Sequence, residues 1–321
     1  DKLITSGRYE IYNTGHPQED YFNMYRIDDK SDLKEAVLYV DYKTNIREHN
    51  MAAAGREAGC GFSKSFVESF LCSDGLPISL SNKYLGDETM RKETANRDPR
   101  LKQLILTNDF PTNVTDDLKD STFVVNEDEF ITQHCFTGYR PIKGFNPIYS
   151  QALYMKSSFD GIAYRYAETL LINAEAKAEL NTITNADLDR TVNQLRDRVG
   201  MPHLTVNVGF TDPKWPDWGY SLSPVLQEIR RERCIELAGE GFRFNDLKRW
   251  KAGKLLNNVL TYVGKRKPDG NLAIVYPNYT NPDLSYQAGK SRTWEDKMYL
   301  YPIPTGELQR NPQLLPQNPG W

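Results

Sequence analysis

Residues Tyr164 to Leu180, YRYAETLLINAEAKAEL, carry the pattern on which the prediction of the fold rests. Small and apolar side chains recur there, and just before, at steps of three or four residues: Ala163, Ala167, Leu170, Ala174 and Ala178. That spacing places them along one face of an α-helix, predicted over Ile162–Leu180. Because these side chains are small, a second helix is expected to pack closely against that face.

The segment that follows predicts a second helix and therefore a helical hairpin. Thr184 and Asp187 stand three residues apart, as in a capping box, and mark the helix start. Apolar residues then repeat at helical spacing: Leu188, Val192, Leu195 and Val199. Gly200 and Pro202 end the pattern, as expected at a helix C-terminus.

Two further helices are predicted after this hairpin. Ser223 is a suitable cap, and Pro224 stands in the first turn, where proline is tolerated. This helix is expected to run to the break at Gly239–Gly241, and a fourth helix to span Phe244–Lys251.

The first half of the chain predicts loops, turns and short elements instead of long helices. Ala36–Tyr42 (AVLYVDY) predicts a short strand, and Ser63 can cap a brief helix that runs through Phe70 and stops at the Asp74–Gly75 turn. The predicted fold class is therefore mainly α, with tetratricopeptide-like helical hairpins, long irregular loops and a few short strands.

A column of glutamates lies along the third predicted helix: Glu228, Glu232, Glu236 and Glu240. Carboxylates four residues apart repel one another unless basic groups neutralise them, so we expect salt bridges, with Arg233 or Arg243 as the partner. A two-metal site is the alternative, but it needs Glu-x-x-His on partner helices, and no histidine falls in that motif. No metal ligand is therefore predicted.

Composition narrows the functional classes. The 321 residues carry a net charge of -3, which gives no basic surplus for nucleic acid. No apolar run is long enough to span a membrane, and no signal peptide stands at the start. The motifs G-x-S-x-G, G-x-x-x-x-G-K-[ST] and H-E-x-x-H are absent, so no catalytic residue and no cofactor is predicted. The scattered cysteines are expected to be buried free thiols.

Several blocks of the sequence together resemble the SusD/RagB family. They are, in order, NRDPRL at 96–101, YRYAETLLINAEAKAEL at 164–180, VNQLRDRVGMP at 192–202, EIRRERCIELAGEGFRFNDLKRWK at 228–251 and LYPIPTGELQRNPQLLPQNPGW at 300–321. The resemblance implies a non-catalytic cell-surface lipoprotein of the outer membrane. Such a protein binds oligosaccharide, or in some members peptide, and delivers it to a SusC-like TonB-dependent transporter.

The resemblance also implies a domain organisation. Members begin with a signal peptide, a lipidated cysteine and helical repeats, so this chain is expected to be a carboxy-terminal part that lacks those repeats. Membrane attachment would then depend on a lipidated cysteine outside the chain. Within it we expect a loop-rich part with short strands over 1–158, helical hairpins over 159–256 and an extended tail packed on the body over 257–321.

Two loops are candidates for a ligand site, since binding residues concentrate in loops. The loop from Tyr42 to Gly61 offers Tyr42, Asn45 and Arg47, and the loop from Thr205 to Tyr220 offers Trp215, Trp218 and Tyr220. Exposed aromatic rings stack on a sugar while amide and guanidinium groups bond its hydroxyls. The alternatives are that the tryptophans fill a gap between helices and that the neighbouring His49 is solvated.

At the level of function, too, alternatives stay open. A peptide-binding nutrient-uptake protein of the same family is one, and a helical-repeat scaffold for protein interactions is the other, because such repeats present concave surfaces to partners. A glycoside hydrolase would need two carboxylates facing one cleft, a distance that sequence cannot show.

Overall fold

The chain, in a computed structural model, is mostly helical with a few short strands, as its sequence predicts. The structure describes residues 1–54, 61–108, 111–114, 120–122, 130–131, 135–274 and 293–321. The α-helices are α1 Lys2–Thr5, α2 Asp20–Asn23, α3 Met51–Ala54, α4 Lys64–Ser69, α5 Met90–Thr94, α6 Arg100–Leu104, α7 Tyr149–Ala152, α8 Tyr166–Glu179, α9 Asn185–Asp189, α10 Val192–Arg198, α11 Pro224–Glu236, α12 Phe242–Arg249 and α13 Thr305–Arg310. The strands are β1 Ala36–Val40, β2 Pro111–Val114, β3 Asp120–Thr122, β4 Gly161–Arg165, β5 Val263–Arg266 and β6 Leu272–Ile274. Short 3-10 helices span Met24–Arg26, Gly253–Asn257, Val259–Thr261, Asp296–Tyr299 and Pro312–Leu314.

Helices α8 to α11 are the predicted helical region, and they share one apolar core. The predicted capping box is present: the Thr184 hydroxyl accepts from the Asp187 N–H at 3.2 Å, and the Asp187 carboxylate accepts from the Thr184 N–H at 3.1 Å. The predicted second helix is two consecutive helices, α9 and α10. The buried apolar side chains that join the four helices include Ala167, Leu170, Ala174, Ala178, Leu188, Val192, Leu195, Val225, Leu226 and Ile229.

The predicted first helix is wrong at its start, because residues 161–165 form strand β4. This strand pairs antiparallel with β1, with Ala36 opposite Arg165 and Tyr39 opposite Ile162. The strand predicted at Ala36–Tyr42 is confirmed over Ala36–Val40. Ala163, the first residue of the helical pattern, is also compatible with a strand. Pairing with the distant strand β1 overrides the local preference for a helix at this point.

The salt-bridge interpretation of the glutamate column is confirmed at its centre, Glu236. Its buried carboxylate accepts from Arg198 at 2.7 and 2.6 Å, from Arg165 at 2.5 Å and from Arg100 at 3.0 Å. These arginines come from α10, β4 and α6, so one carboxylate joins three elements to α11. The attraction of the arginines holds the pKa of Glu236 well below its ordinary value, although burial acts in the opposite direction.

The predicted partners of the column are wrong. Arg233 pairs with Asp246 at 2.9 Å, and Arg243 is exposed. Arg233 and Glu236 stand three residues apart and are neighbours on the surface of α11, but the Arg233 guanidinium pairs with Asp246 of α12 instead. The arginines that reach Glu236 lie between 38 and 136 residues away in the chain, a separation that a sequence pattern does not reveal.

Glu240, beyond the end of α11, extends the same network. Arg165 donates to it at 2.8 and 2.7 Å, and the buried ammonium of Lys143 lies at 2.6 Å. Burial alone would raise the pKa of Glu240, but these two cations lower it to about 2. Burial in turn lowers the pKa of Lys143 to about 8.

The tail predicted to be extended is not extended throughout, because α13 interrupts it. Pro304 precedes this helix at its N-cap position, where a missing N–H costs nothing. Earlier in the tail, the Tyr299 hydroxyl accepts from the Gly253 N–H at 2.9 Å, which attaches the tail to the body. Trp321 is 47% exposed, and its indole N–H donates to carbonyls of the tail itself. Residues 275–292 of the predicted tail lie outside the described residues.

The cysteines agree with the prediction of free thiols where the structure describes them. Cys72 and Cys135 are buried and Cys234 is partly buried, each without a disulfide, whereas Cys60 lies outside the described residues. Among the described residues, no helix combines the length and the apolar composition that crossing a bilayer requires.

Candidate functional site

The first predicted loop folds into a tight turn directly after β1. Lys43 and Arg47 exchange two backbone hydrogen bonds of 2.8 and 2.9 Å across it. Asn45 stands in the turn with a positive φ of 62°, a conformation that asparagine tolerates better than most residues. Its side chain is exposed, and the Arg47 guanidinium lies 5.0 Å from the ring centroid of Tyr42. All three predicted residues of this loop therefore sit together at the surface.

His49 holds this loop in place, and its ring is partly buried rather than freely solvated. One ring nitrogen, Nδ1, accepts from the Met51 N–H at 3.0 Å, and the other, Nε2, lies 2.8 Å from the Phe159 carbonyl oxygen. The two partners select the neutral tautomer with its proton on Nε2. The imidazole also packs edge-on between the rings of Tyr42 and Phe159, at centroid distances of 4.4 and 4.7 Å.

A second segment, residues 149–158, lies against the loop. The His49 and Ser157 backbones exchange hydrogen bonds of 2.9 and 3.1 Å, and the Asn50 side chain accepts from the Met155 N–H at 3.0 Å. An ion pair of 3.0 Å between Glu48 and Lys156 adds to these contacts, and that hydrogen bond lowers the pKa of Glu48 below its ordinary value. Loop and segment thus form one continuous surface.

Two exposed tyrosines on this second segment were missed by the sequence analysis. Tyr149 is 60% exposed at the start of α7, and Tyr154 is 72% exposed shortly after its end. Nearby apolar side chains, Ile46, Met51, Leu153 and Met155, are exposed as well. No helical or strand periodicity marks either tyrosine, so only their composition, two tyrosines in PIYSQALYM, could have attracted notice. We call Tyr42, Asn45, Arg47, Tyr149 and Tyr154 the tyrosine surface.

The second predicted loop belongs largely to the core. Trp218 is only 5% exposed, so its prediction as an exposed stacking ring is wrong and the gap-filling alternative is supported. Its ring packs edge-on against Trp250 at 5.4 Å, and the Arg230 guanidinium lies 4.8 Å from one ring and 4.5 Å from the other. Its indole N–H donates to Gln227 at 2.6 Å.

The other two candidates of that loop are tied to the same body. Trp215 is partly buried, and its indole N–H donates to Glu228 at 2.7 Å. The Tyr220 ring is partly exposed, but its hydroxyl donates to the Trp250 carbonyl at 2.7 Å and accepts from Arg230 at 2.9 Å. In the described part of the chain, no hydrogen bond, ion pair or ring contact joins these residues to the tyrosine surface. The three residues of the second loop are thus held by α11 and Trp250.

The tyrosine surface suits a neutral, hydroxyl-rich ligand. Its rings offer apolar faces, while Asn45 and Arg47 offer hydrogen-bond donors and an acceptor at the rim. Within the described residues, no three His, Cys, Asp or Glu side chains are grouped so that they could hold a metal ion.

We expect His49 to make the stability of the protein depend on pH. Burial lowers its pKa below the ordinary 6.5, and the nearby Lys30 ammonium acts in the same direction. Above pH 6.5 the ring is neutral in both the folded and the unfolded state. As the pH falls below 6.5 the unfolded state takes up the proton first, so the free energy of unfolding decreases until the folded pKa is passed.

Urea unfolding of the wild type and His49→Gln between pH 7.5 and 5 tests this expectation. The variant should lack the decrease that begins below pH 6.5, while the carboxylates, which titrate at lower pH, affect both proteins equally. The nearby Asp160 carboxylate, which accepts from the Lys30 and Tyr42 N–H groups, is present in both proteins. If the free energy of unfolding changes with pH in the same way in both proteins, the pH dependence does not arise from His49.

Comparison with solved structures supports the fold. The chain aligns with a SusD-like protein from Bacteroides fragilis over 100% of its own length and 61% of that chain, with a TM-score of 0.67 and 24% identity. A second protein of that species, described as a SusD-like carbohydrate-binding protein, aligns over 98% of this chain and 60% of its own, with a TM-score of 0.64 and 23% identity. The surface glycan-binding protein A of Bacteroides fluxus aligns over 100% and 56%, with a TM-score of 0.52 and 18% identity.

Sequence comparison identifies the same group of proteins. The chain is 33% identical to SusD-like protein P2 of Formosa agariphila over 166 residues, which are 52% of this chain and 27% of that protein. It thus spans only part of the length of the relatives that it matches. The model of the SusD family matches residues 11–321, nearly the whole sequence. The chain belongs to the SusD family.

Proposed function

We propose that this chain binds oligosaccharide through the tyrosine surface and does not hydrolyse it. The observation that carries the proposal is the exposure of Tyr149 and Tyr154 beside an anchored loop that bears Tyr42, Asn45 and Arg47. A contiguous patch of exposed apolar surface marks an interaction site, and the faces of tyrosine rings match the apolar face of a pyranose.

Family membership and the descriptions of the structural relatives support a glycan as the ligand. One relative is described as carbohydrate-binding and another as a surface glycan-binding protein. We extend the proposal to the whole protein: a cell-surface lipoprotein of the outer membrane that delivers its glycan to a SusC-like TonB-dependent transporter. Binding should be weak, because an open surface buries less of the ligand than a closed pocket does, and because cargo must be released.

Replacing Tyr154 with Ala is expected to reduce glycan affinity. Loss of one stacking ring corresponds to about 0.5–1.5 kcal/mol, or roughly two- to tenfold in Kd, and Tyr149→Ala should act similarly. The melting temperature should change little, because both rings are largely exposed. A glycan array would select the ligand, and isothermal titration calorimetry on the wild type and both variants would give the Kd values.

Tyr301 provides the matched control, since its ring is 69% exposed but lies on the tail. Tyr301→Ala should leave glycan affinity unchanged. Equal losses in Tyr154→Ala and Tyr301→Ala would contradict the proposed surface, as would failure of the wild type to bind any member of a broad panel. Chromatography of the ligand after prolonged incubation tests for catalysis, and shortened products would overturn the non-catalytic assignment.

A further inference from the structure

Met155, next to the exposed Tyr154, has a backbone conformation that its residue type disfavours. Its φ is +55°, in the left-handed region, where the Cβ of an ordinary side chain crowds a carbonyl oxygen. Asparagine tolerates this region, and the first residue beyond a helix C-cap commonly adopts it. These two conditions account for the other non-glycine residues with a positive φ in the described part of the chain: Asn45, Asn96, Asn181 and Lys251. Neither condition holds for Met155, so its surroundings must hold it in place.

Residues 153–156 form a β-turn with Tyr154 and Met155 at its centre. The Lys156 N–H donates to the Leu153 carbonyl oxygen at 3.2 Å, which closes the turn. Of the two central residues only the second, Met155, has a positive φ, and this combination defines a type II turn. Glycine or asparagine is usual at that position. A type I turn, in which the central peptide group is rotated by roughly 180°, accepts most residues. Met155 by itself therefore favours the type I form.

Asn50 opposes that preference by binding the peptide group between Tyr154 and Met155. Its side-chain oxygen accepts from the Met155 N–H at 3.0 Å. This N–H belongs to the peptide group that would rotate, so rotation to the type I form breaks the hydrogen bond. The ion pair of Lys156 and the backbone hydrogen bonds of Ser157 lie beyond this peptide group. Asn50 is thus the loop residue that selects the type II form.

The same peptide group turns its carbonyl oxygen away from the loop. In a trans peptide the N–H and the C=O point in opposite directions, so the Tyr154 carbonyl oxygen points away from Asn50. No described residue donates a hydrogen bond to this oxygen. The Tyr154 side chain beside it is 72% exposed. The turn therefore places an aromatic ring next to a backbone acceptor that is suited to a hydroxyl group.

We propose that Asn50 is a positioning residue of the tyrosine surface. It fixes the type II turn, in which one sugar residue meets the Tyr154 ring with its apolar face and the Tyr154 carbonyl oxygen with a hydroxyl group. The proposal rests on the proposed function, because it takes a glycan as the ligand. It adds the requirement that the sugar carries a hydroxyl donor beside the face that stacks on the ring. Strained backbone held in place at a ligand site agrees with this role.

Asn50→Ala is expected to weaken glycan binding about three- to tenfold. Without the Asn50 acceptor most molecules adopt the type I form, and the apparent affinity falls with the fraction that keeps the type II form. The two forms differ mainly in the direction of the central peptide group, so the loss reports on the Tyr154 carbonyl oxygen. Titration calorimetry on the full chain with neutral hexasaccharides (malto-, cello-, xylo- and laminarihexaose) would give the Kd values.

Three further variants separate positioning from a general loss of structure. Asn50→Asp keeps an oxygen acceptor for the Met155 N–H and should bind nearly as the wild type does. Asn185→Ala removes a comparable hydrogen bond outside the tyrosine surface, from the Val206 N–H at 2.9 Å, and should leave the Kd unchanged. Met155→Gly removes the backbone strain, because glycine adopts a positive φ freely. Adding Asn50→Ala to Met155→Gly should therefore weaken binding less than about twofold.

The Met155 amide proton gives a readout that needs no ligand. In the wild type it is hydrogen-bonded to Asn50, so its exchange with solvent should be slower than in Asn50→Ala. Asn50→Asp should restore the slow exchange. Hydrogen exchange followed by NMR on the three proteins would measure these rates.

The proposal is overturned if Asn50→Ala binds the hexasaccharide as tightly as Asn185→Ala does, or if Asn50→Asp loses as much affinity as Asn50→Ala. It is also overturned if Met155→Gly does not reduce the effect of Asn50→Ala, or if the Met155 amide exchanges equally fast in all three proteins. These results leave the proposed function intact where Tyr154→Ala still weakens binding. A wild type that binds no glycan, or a Tyr154→Ala variant that binds like the wild type, overturns the proposed function and this proposal together.

Discussion

Glu236→Ala is expected to lower the free energy of unfolding by about 3–5 kcal/mol. The change removes one carboxylate that the buried Arg165, Arg198 and Arg100 share, while Arg165 and Arg198 keep Glu35 as a second partner. The cost arises mainly from buried positive charges that then outnumber the carboxylates beside them, since a buried ion pair as a whole contributes much less than the loss of one partner suggests. Urea unfolding at pH 7 would measure the difference.

Arg243→Ala is the control for this experiment. The sequence pattern proposed Arg243 as a partner of the glutamates, but its side chain is exposed and should contribute within about 0.5 kcal/mol. A melting temperature that is unchanged in Glu236→Ala would show that the network does not operate as the structure describes. Equal effects of the two variants would restore Arg243 to the network.

Trp218→Ala should destabilise the protein by about 3–5 kcal/mol and leave glycan affinity unchanged. Its removal opens a cavity beside Trp250 and deprives the Arg230 guanidinium of one of the two rings between which it lies. Because Trp218 makes no described contact with the tyrosine surface, ligand binding in the folded fraction should be normal. Chemical denaturation would measure the free energy of unfolding, and titration calorimetry on the same samples would measure the Kd for the glycan.

Trp321 supplies the comparison for this prediction, being a tryptophan that is 47% exposed at the end of the tail. Trp321→Ala should cost clearly less stability than Trp218→Ala. Should Trp218→Ala weaken glycan binding with no loss of stability, the second loop would return as the ligand site.

Local elements of the fold were predictable because their causes are local. The Thr184 capping box, the Ser223 cap of α11 and the apolar spacing of α8 and α10 act within one or two helical turns. The start of α8 was not predictable in this way. Its first predicted residues pair as a strand with β1, more than a hundred residues earlier in the chain, and distant pairing leaves no periodic signal.

The residues of the candidate site also include some that the sequence predicted and some that it did not. Tyr42, Asn45 and Arg47 were predicted from the sequence because a loop after a strand, rich in polar residues, is a usual place for binding. Tyr149 and Tyr154 were missed, and Trp218 was misplaced, because an aromatic residue in a loop has the same local sequence whether it faces solvent or core. Its exposure depends on what the rest of the chain places beside it, here Trp250 and Arg230.

By itself, the sequence determined the helical class, the helix caps, the need of the glutamate column for cationic partners and the resemblance to the SusD family. Each of these follows from residue types and their spacing in the sequence, read one segment at a time. Only the tertiary structure decided which arginines meet Glu236 and which aromatic rings remain exposed. The physical reason is that charge pairing and burial depend on distances between segments far apart in the chain, and those distances exist only once the chain has folded.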